Sequence, residues 1–434
     1  MTGDSNGPAT PDENLSTMTR DLNALTQQLA NQAPEELDLT NGRHLDLATQ
    51  GADALLDAAT SHDELVVLER QLFEAARAAP LLVHLAAKLA CSKSLVTKLR
   101  DPARLSVIFA MYKEHNRIVE PETHPHGEDF LRRKATQLEW LFEASSHIVW
   151  RIFAIDDGCP EESGQVARQI IEQSGLEQHA EVLFLDEAIR RGEPVTRPLT
   201  QTSDSQKGGS IQLGMWQASQ QGDSGHVVLF TDADLSTHLG QAGLLMHPIL
   251  AEGADASIGS RREPTSVAIK KGKRNVRGKL FIYLWKRLLP DLDRLVDTQC
   301  GFKAFRADVA RTIIVDSLEK RFAFDIELLL RTELARPGSI VKVPIAWIDS
   351  EAASTTTDIE PYLPMLQSVV GFYRHYLSAN PESDSFAAFI ERLDEESWHR
   401  LVDSIPAEIA EADPTQFGDQ APLSAADLQA ILIP

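Results

Sequence analysis

Val227-Val228-Leu229-Phe230 are four consecutive apolar, mostly β-favouring residues that run straight into Thr231-Asp232-Ala233-Asp234-Leu235-Ser236. A strand without polar alternation is buried on both faces, and such strands belong to parallel sheets covered by helices. Open sheets of that kind bind ligands beyond the carboxyl ends of their strands, which is where the two aspartates fall. Two carboxylates one residue apart suit a hard divalent cation that also holds the oxygens of a diphosphate. The plainer reading is a solvated strand-to-loop turn, in which Asp is common. The rest of the chain decides between the two.

Similar strands recur on either side, each followed by a helix. Leu105-Ser106-Val107-Ile108-Phe109-Ala110-Met111 reads as a first strand, ends in Tyr112-Lys113-Glu114, and precedes a helix over about 130–145. Trp150-Arg151-Ile152-Phe153-Ala154-Ile155 is a second, ending in Asp156-Asp157-Gly158 before a helix over about 161–174. A short strand at 181–185 is followed by a polar loop over 186–206. This loop closes in Lys207-Gly208-Gly209-Ser210 at the start of a helix reaching about 220. Beyond the central strand come a helix over about 238–252, a strand at 255–259 and a last strand at 340–348. The alternation predicts an α/β fold with a doubly wound, mostly parallel sheet. Polar residues gather at the carboxyl ends of the first, second, fourth and fifth strands.

This sheet domain is expected over 101–350, with helical N- and C-terminal extensions. Residues 1–15 read as a disordered polar lead. Residues 16–100 read as a helical accessory region, or as a dimerisation element that would make the protein a homo-oligomer. Leu22, Leu25 and Leu29 recur at turn spacing, the stretch 53–79 is rich in Ala, Leu and Glu without proline, and Ser61-His62-Asp63-Glu64 offers a helix cap. Residues 351–434 read as an acidic helical extension. After Glu382 its only bases are Arg392 and Arg400, which suggests a solubilising or partner-binding appendage.

Charge narrows the partners. A formal net charge of −22 over 434 residues argues against nucleic acid as a general ligand. Cys91, Cys159 and Cys300 are an odd number at scattered spacing, so neither a disulfide framework nor a zinc site follows. The acidic, polar start does not read as a secretory signal. No apolar run reaches the roughly 18–20 residues of a membrane helix. A soluble cytoplasmic protein is the expectation.

Against that acidity, Arg261, Arg262, Lys270, Lys271, Lys273, Arg274, Arg277 and Lys279 crowd one segment opposed only by Glu263. Such an island is suited to gripping phosphate. The apolar stretch 280–289 beside it either packs on the sheet and closes over the site or lies on a membrane surface as a peripheral contact. Lys207-Gly208-Gly209 at a helix start lets an ammonium and backbone amides approach a phosphate. Asp325 and Glu327 fall where an apolar segment enters a helix, so one could face the cleft; the alternative is an acidic first turn complementing the helix dipole. His124-Pro125-His126 reads as exposed loop polarity rather than a metal site.

Taken in order, Tyr112-Lys113-Glu114, Asp156-Asp157-Gly158, Lys207-Gly208-Gly209, Thr231-Asp232-Ala233-Asp234, Gly259-Ser260-Arg261-Arg262, Asp297-Thr298-Gln299-Cys300-Gly301-Phe302-Lys303 and Phe322-Ala323-Phe324-Asp325-Ile326-Glu327 resemble glycosyltransferase family 2. The nearest resemblance is to its dolichyl-phosphate glucosyl- and mannosyltransferase branch, over about 104–350. The resemblance implies a GT-A fold and inverting transfer of a sugar from a nucleoside-diphosphate donor, a UDP- or GDP-sugar. It implies that Tyr112, Glu114, Asp157 and Asp156 hold the base and ribose, with Lys207 at the nucleotide. It implies that Asp232 and Asp234 bind Mg²⁺ or Mn²⁺ bridging the diphosphate. Asp325 is the candidate general base for an acceptor hydroxyl, with Glu327 as its alternate. For a phosphate acceptor no base is needed, and Arg261, Arg262, Gln299 and Lys303 would position it. The acceptor is expected to be a soluble molecule or a polyprenyl phosphate.

Two other classes are compatible with the same logic. A sugar-phosphate nucleotidyltransferase would carry a glycine-rich basic loop after the first strand, where this chain has Tyr112-Lys113-Glu114. A non-catalytic nucleotide-sugar-binding scaffold, its helical ends recruiting partners, is the third reading, and the acidic residues intact at every expected position argue against decay to binding alone.

Overall fold

The computed structural model describes residues 11–75, 79–222, 224–269, 274–348, 362–417 and 423–432. Four helices come first: α1 (Pro11–Gln32), α2 (Gly42–Ala58), α3 (His62–Glu74) and α4 (Leu81–Lys98). There follow β1 (Ala103–Met111), α5 (Phe130–Phe142), β2 (Ile148–Asp156), α6 (Ser163–Ser174), β3 (Ala180–Phe184), α7 (Leu185–Arg191), α8 (Gly208–Ser219) and β4 (His226–Thr231). Next are α9 (Ala242–Ala251), β5 (Ala256–Ser260), β6 (Val267–Ile269), α10 (Arg274–Leu288), β7 (Phe302–Arg306), α11 (Ala307–Ile314), α12 (Phe324–Ala335), β8 (Ile340–Pro344) and β9 (Ala346–Ile348). The described chain closes through α13 (Tyr362–Tyr376), α14 (Pro381–Glu391), α15 (Glu395–Asp403) and two short helices.

Seven strands form one sheet in the order β3-β2-β1-β4-β7-β5-β8. All pairings are parallel except those of β7, which runs antiparallel between β4 and β5. The chain winds outward through β1, β2 and β3, then returns to place β4 on the other side of β1. The order therefore reverses between β1 and β4, the position where such sheets open a crevice. Register sets Ile108 opposite Phe230 and Met111 opposite Asp156, bringing the carboxyl ends of β1, β2 and β4 together.

Period-2 alternation divides the apolar side chains between two cores. Leu105, Val107, Phe109, Val227 and Leu229 join Leu85 and Leu89 of α4 on one face. Ile108, Val228 and Phe230 join α8, α10 and the C-terminal helices on the other. Each extension thus covers one face of the sheet.

Several details depart from the sequence reading. The first ten residues of the expected disordered lead lie outside the described residues, but α1 already begins at Pro11. The helix cap read at Ser61 is, by contrast, as expected: α3 starts at His62 and the Ser61 hydroxyl accepts from the Glu64 amide at 3.3 Å. The expected loop 186–206 contains α7, ended by Gly192 in the left-handed conformation. The C-terminal extension is no loose appendage: Leu366, Val369, Val370, Phe386, Phe389 and Ile390 are buried in the second core. The apolar stretch 280–289 is buried there too, so it packs rather than offering its apolar residues to a membrane. Among the described residues no helix is long and apolar enough to cross a membrane.

Candidate active site

Asp232 follows the last residue of β4, its amide donating to the Gly301 carbonyl at 3.2 Å. A methyl at Gly301 would overlap the Asp232 carboxylate, so glycine there leaves that carboxylate its place. Asp234 is fixed by its own turn, with the Ser236 amide at 3.1 Å and hydroxyl at 2.5 Å on Oδ1. Its backbone carbonyl accepts from Lys134 at 2.7 Å. Both aspartate side chains are about a third exposed, at 31% each.

Cations surround the pair. The Lys207 ammonium forms an ion pair with Asp232, and the Arg117 guanidinium lies 3.9 Å from Asp234 Oδ2. Burial works against charge on Asp232, yet Lys207, Arg261 and Lys134 hold its carboxyl below the usual carboxylate range. Burial also opposes the Lys207 charge, but Asp232, Asp325 and Asp234 together raise its pKa.

Asp325 lies in the first turn of α12. Its Oδ1 accepts from Gln299 at 2.7 Å and its Oδ2 from Lys303 at 3.0 Å. Burial pushes its pKa up against the pull of those partners, so it is a better proton acceptor than a solvated aspartate. Lys303 comes from β7, opposite Phe230 of β4, and is fully buried. Its ammonium serves Asp325 and the Cys300 carbonyl, so it cannot touch an acceptor as expected.

The loop after β1 carries a second ionic group. Arg117 binds Glu114 at 3.1 Å and Glu128 at 3.1 Å, all three nearly buried. Burial, offset by Arg117 and reinforced by Asp234 and Glu128, pushes the Glu114 carboxyl up to about 7. Glu114 is therefore bound inward to Arg117 rather than presented to a ribose, whereas Tyr112 is exposed on the rim.

Other expected residues serve the scaffold. Asp156 accepts from the Cys159 amide at 2.8 Å and the Gly164 amide at 2.7 Å, capping the turn into α6. Asp157 accepts from the Ser210 hydroxyl at 2.5 Å and the Lys207 amide at 2.9 Å, capping α8. The Gly209 amide is likewise taken, by the Lys320 carbonyl at 2.8 Å, because Gly208 and Gly209 pack against neighbouring backbone and side chains. The ammonium, rather than these amides, faces the cleft. Glu327 is fully buried and points elsewhere: it accepts from the Leu318 and Glu319 amides and from Tyr376. Those three donors and its complete burial make it a structural anchor within the protein. Arg261 is clamped on Asp297 by two side-chain bonds, at 2.6 and 2.8 Å, and stacks over Trp347. Arg262 is half-buried, its amide on Ser260. Lys270, Lys271 and Lys273, and the side chain of Arg274, lie outside the described residues.

The site thus joins Lys207, Asp232, Asp234, Asp325, Gln299 and Lys303, and leaves Glu327, Asp156 and Asp157 as supports. Sequence reasoning missed Arg117 and Lys134. The second had a signal: it shares the apolar face of α5 with Phe130, Leu131, Leu138 and Leu141.

The donor set suits a hard cation. Asp232 and Asp234 offer carboxylate oxygens at a partly open position, and Mg²⁺ typically takes one or two carboxylates and completes its shell with phosphate oxygens and water. Among the described residues no group of three His, Cys, Asp or Glu could hold a metal.

The sheet, with its order reversed between β1 and β4 and helices on both faces, is a doubly wound, mostly parallel α/β sheet. No family model matches the chain. It is 28% identical over 261 residues to dolichyl-phosphate β-glucosyltransferase of Drosophila melanogaster, covering 58% of this chain and 69% of that one. It is 29% identical over 185 residues to undecaprenyl-phosphate mannosyltransferase of Micrococcus luteus, covering 40% and 73%. Among solved structures, glucosyl-3-phosphoglycerate synthase of Mycobacterium tuberculosis in complex with Mg²⁺ and UDP aligns at 16% identity and TM-score 0.42, covering 67% and 85%. The chain is a glycosyltransferase, similar to these polyprenyl-phosphate sugar transferases.

Proposed function

We propose that this protein moves a sugar from a UDP- or GDP-sugar to an acceptor in one inverting displacement, with Mg²⁺ or Mn²⁺ held by Asp232 and Asp234. The observation that carries this reading is the Lys207–Asp232–Asp234 group at the switch point between β1 and β4. The ion would neutralise charge developing on the leaving diphosphate.

The chain's own groups account for the rest. Lys207 supplies a mobile positive charge beside the leaving group, where fixed electrostatics contribute most to such reactions. Tyr112, on the exposed rim at the end of β1, offers a ring face to the base. Asp325, oriented by Gln299 and Lys303, takes the proton of an acceptor hydroxyl as its oxygen attacks the anomeric carbon from the face opposite the diphosphate. A single displacement of this kind inverts the configuration. When the acceptor is a phosphate, its oxygen is already anionic and Asp325 has no proton to remove. The named relatives act on polyprenyl phosphates, so polyprenyl phosphate and soluble acceptors are the two classes to try, with Arg262 among the cations that would meet their negative charge. Peripheral membrane contact, self-association and a cytoplasmic location belong to this proposal.

The test is product analysis with UDP- and GDP-hexoses, Mn²⁺ or Mg²⁺, and either polyprenyl phosphate in micelles or soluble acceptors. Release of UDP or GDP with a glycosylated acceptor of inverted configuration is expected. Pyrophosphate released from a nucleoside triphosphate and a sugar 1-phosphate would instead make it a nucleotidyltransferase. Donor binding without turnover in any combination would make it a scaffold.

A further inference from the structure

The Lys207 ammonium and a divalent cation answer to the same carboxylate, that of Asp232. The lysine is placed there with care. Its backbone stands at φ 80°, ψ −48°, a conformation that residues with a side chain rarely adopt. It is kept there by the Asp157 carboxylate on its amide and by the Gly209 amide bonded to the Lys320 carbonyl. The main chain is therefore pinned, while four methylenes leave the ammonium free to swing.

Three carboxylates act on that ammonium: Asp232, Asp325 and Asp234. Asp325 already has a donor on each oxygen and Asp234 Oδ1 is held by Ser236. Asp232 is the carboxylate the ammonium meets, on a site where Arg261 and Lys134 also act. An ion bound to Asp232 must displace it, and the displaced charge needs a new anion. The diphosphate of a donor is such an anion, and it arrives at the same place.

Building on the metal reading above, we propose that Lys207 is an exchangeable counter-ion that couples metal binding to donor binding. Paired with Asp232, it weakens the hold of Asp232 and Asp234 on a free divalent ion. When nucleoside diphosphate and ion arrive together, the ammonium leaves Asp232 for the diphosphate, so each ligand raises the affinity of the other. No bond is made or broken in this exchange, and one positive charge moves by the swing of one side chain.

The test measures Mn²⁺ binding through the electron paramagnetic resonance signal of the free ion, with and without UDP or GDP, for the wild type, Lys207→Gly, Lys207→Met and Asp232→Asn. Glycine accepts the backbone conformation at this position and methionine keeps the stem, so one variant stands in if the other fails to fold. Expected for the wild type is weak Mn²⁺ binding that the matching nucleotide tightens by about tenfold or more. Expected for both Lys207 variants is tighter binding of Mn²⁺ alone and a severalfold smaller tightening by nucleotide than in the wild type, the coupling that remains coming from phosphate oxygens on the ion. Unchanged or weaker binding of Mn²⁺ alone in the Lys207 variants, while Asp232→Asn abolishes it, overturns the exchange and leaves the metal site standing. Absence of Mn²⁺ binding to the wild type with either nucleotide overturns the metal site and the exchange with it.

Discussion

The Tyr376 hydroxyl donates to Glu327 Oε1 at 2.5 Å, tying α13 of the C-terminal extension to the first turn of α12, two residues beyond Asp325. Glu327 in turn holds the amides of Leu318 and Glu319, and the next residue, Lys320, accepts from Gly209 at the start of α8. The extension is thus linked through three bonds to the loop that carries Lys207. Replacing Tyr376 by Phe removes one donor from a buried carboxylate, at a cost of about 1–3 kcal/mol. A lower urea midpoint with an unchanged denaturant slope is the expected measurement.

The two acidic residues of α12 should separate cleanly. Glu327→Gln puts an NH₂ against the Glu319 amide or against the Leu318 amide and the tyrosine, so it lowers stability and leaves the reaction site itself untouched. Asp325→Asn leaves donor binding in place and lowers stability, because the buried Lys303 ammonium loses its carboxylate. With a hydroxyl acceptor it lowers kcat by about 10²–10⁴, the usual span for a general base. With a phosphate acceptor turnover persists. Steady-state kinetics with each acceptor class, beside thermal melts of both variants, distinguish these outcomes.

Gly301→Ala is a one-methyl test of the site. A Cβ there overlaps both oxygens of Asp232, and because that carboxylate is part exposed it can turn away without unfolding the core. Expected are a near-native melting temperature and loss of metal-dependent nucleotide binding by calorimetry.

How much of this was legible beforehand follows from the physics of each element. An apolar run ending in Asp-x-Asp announces its strand and its carboxyl end, because burial on both faces and a polar terminus are local properties. The roles of Asp156 and Asp157 were not local. A carboxylate at a strand end can face either the cleft or the helix that follows, and here both cap helices. Lys134 and Arg117 reach Asp234 only through tertiary folding, although a lysine on the apolar stripe of α5 was a readable anomaly. In the C-terminal extension the acidity drew attention from the stripe of Leu366, Val369, Val370 and Tyr373, which packs it into the core.

His238 sets an acid limit. Its Nδ1 accepts from the Gly240 amide at 3.0 Å, so the neutral ring carries its proton on Nε2. Burial, with the Lys134 charge, pulls its pKa down to about 3. The folded state therefore binds that proton less readily than the unfolded chain, whose histidine titrates near 6.5. The associated stability is present above about 6.5 and is lost as pH falls toward 3. His238→Asn, which retains an acceptor near the Gly240 amide, should flatten the melting-temperature profile between pH 6.5 and 4.

The central claim is that Asp232 and Asp234 hold a metal together with a nucleoside diphosphate. The direct measurement is the melting temperature with UDP or GDP, each with and without Mn²⁺, for the wild type and Asp232→Ala. A ligand that binds only the folded state stabilises it by about 2.7 kcal/mol at a hundred times its Kd. The account predicts a rise with one nucleotide that requires Mn²⁺ and vanishes in Asp232→Ala. A rise that is independent of Mn²⁺ or survives in Asp232→Ala would contradict it, as would no rise with either nucleotide.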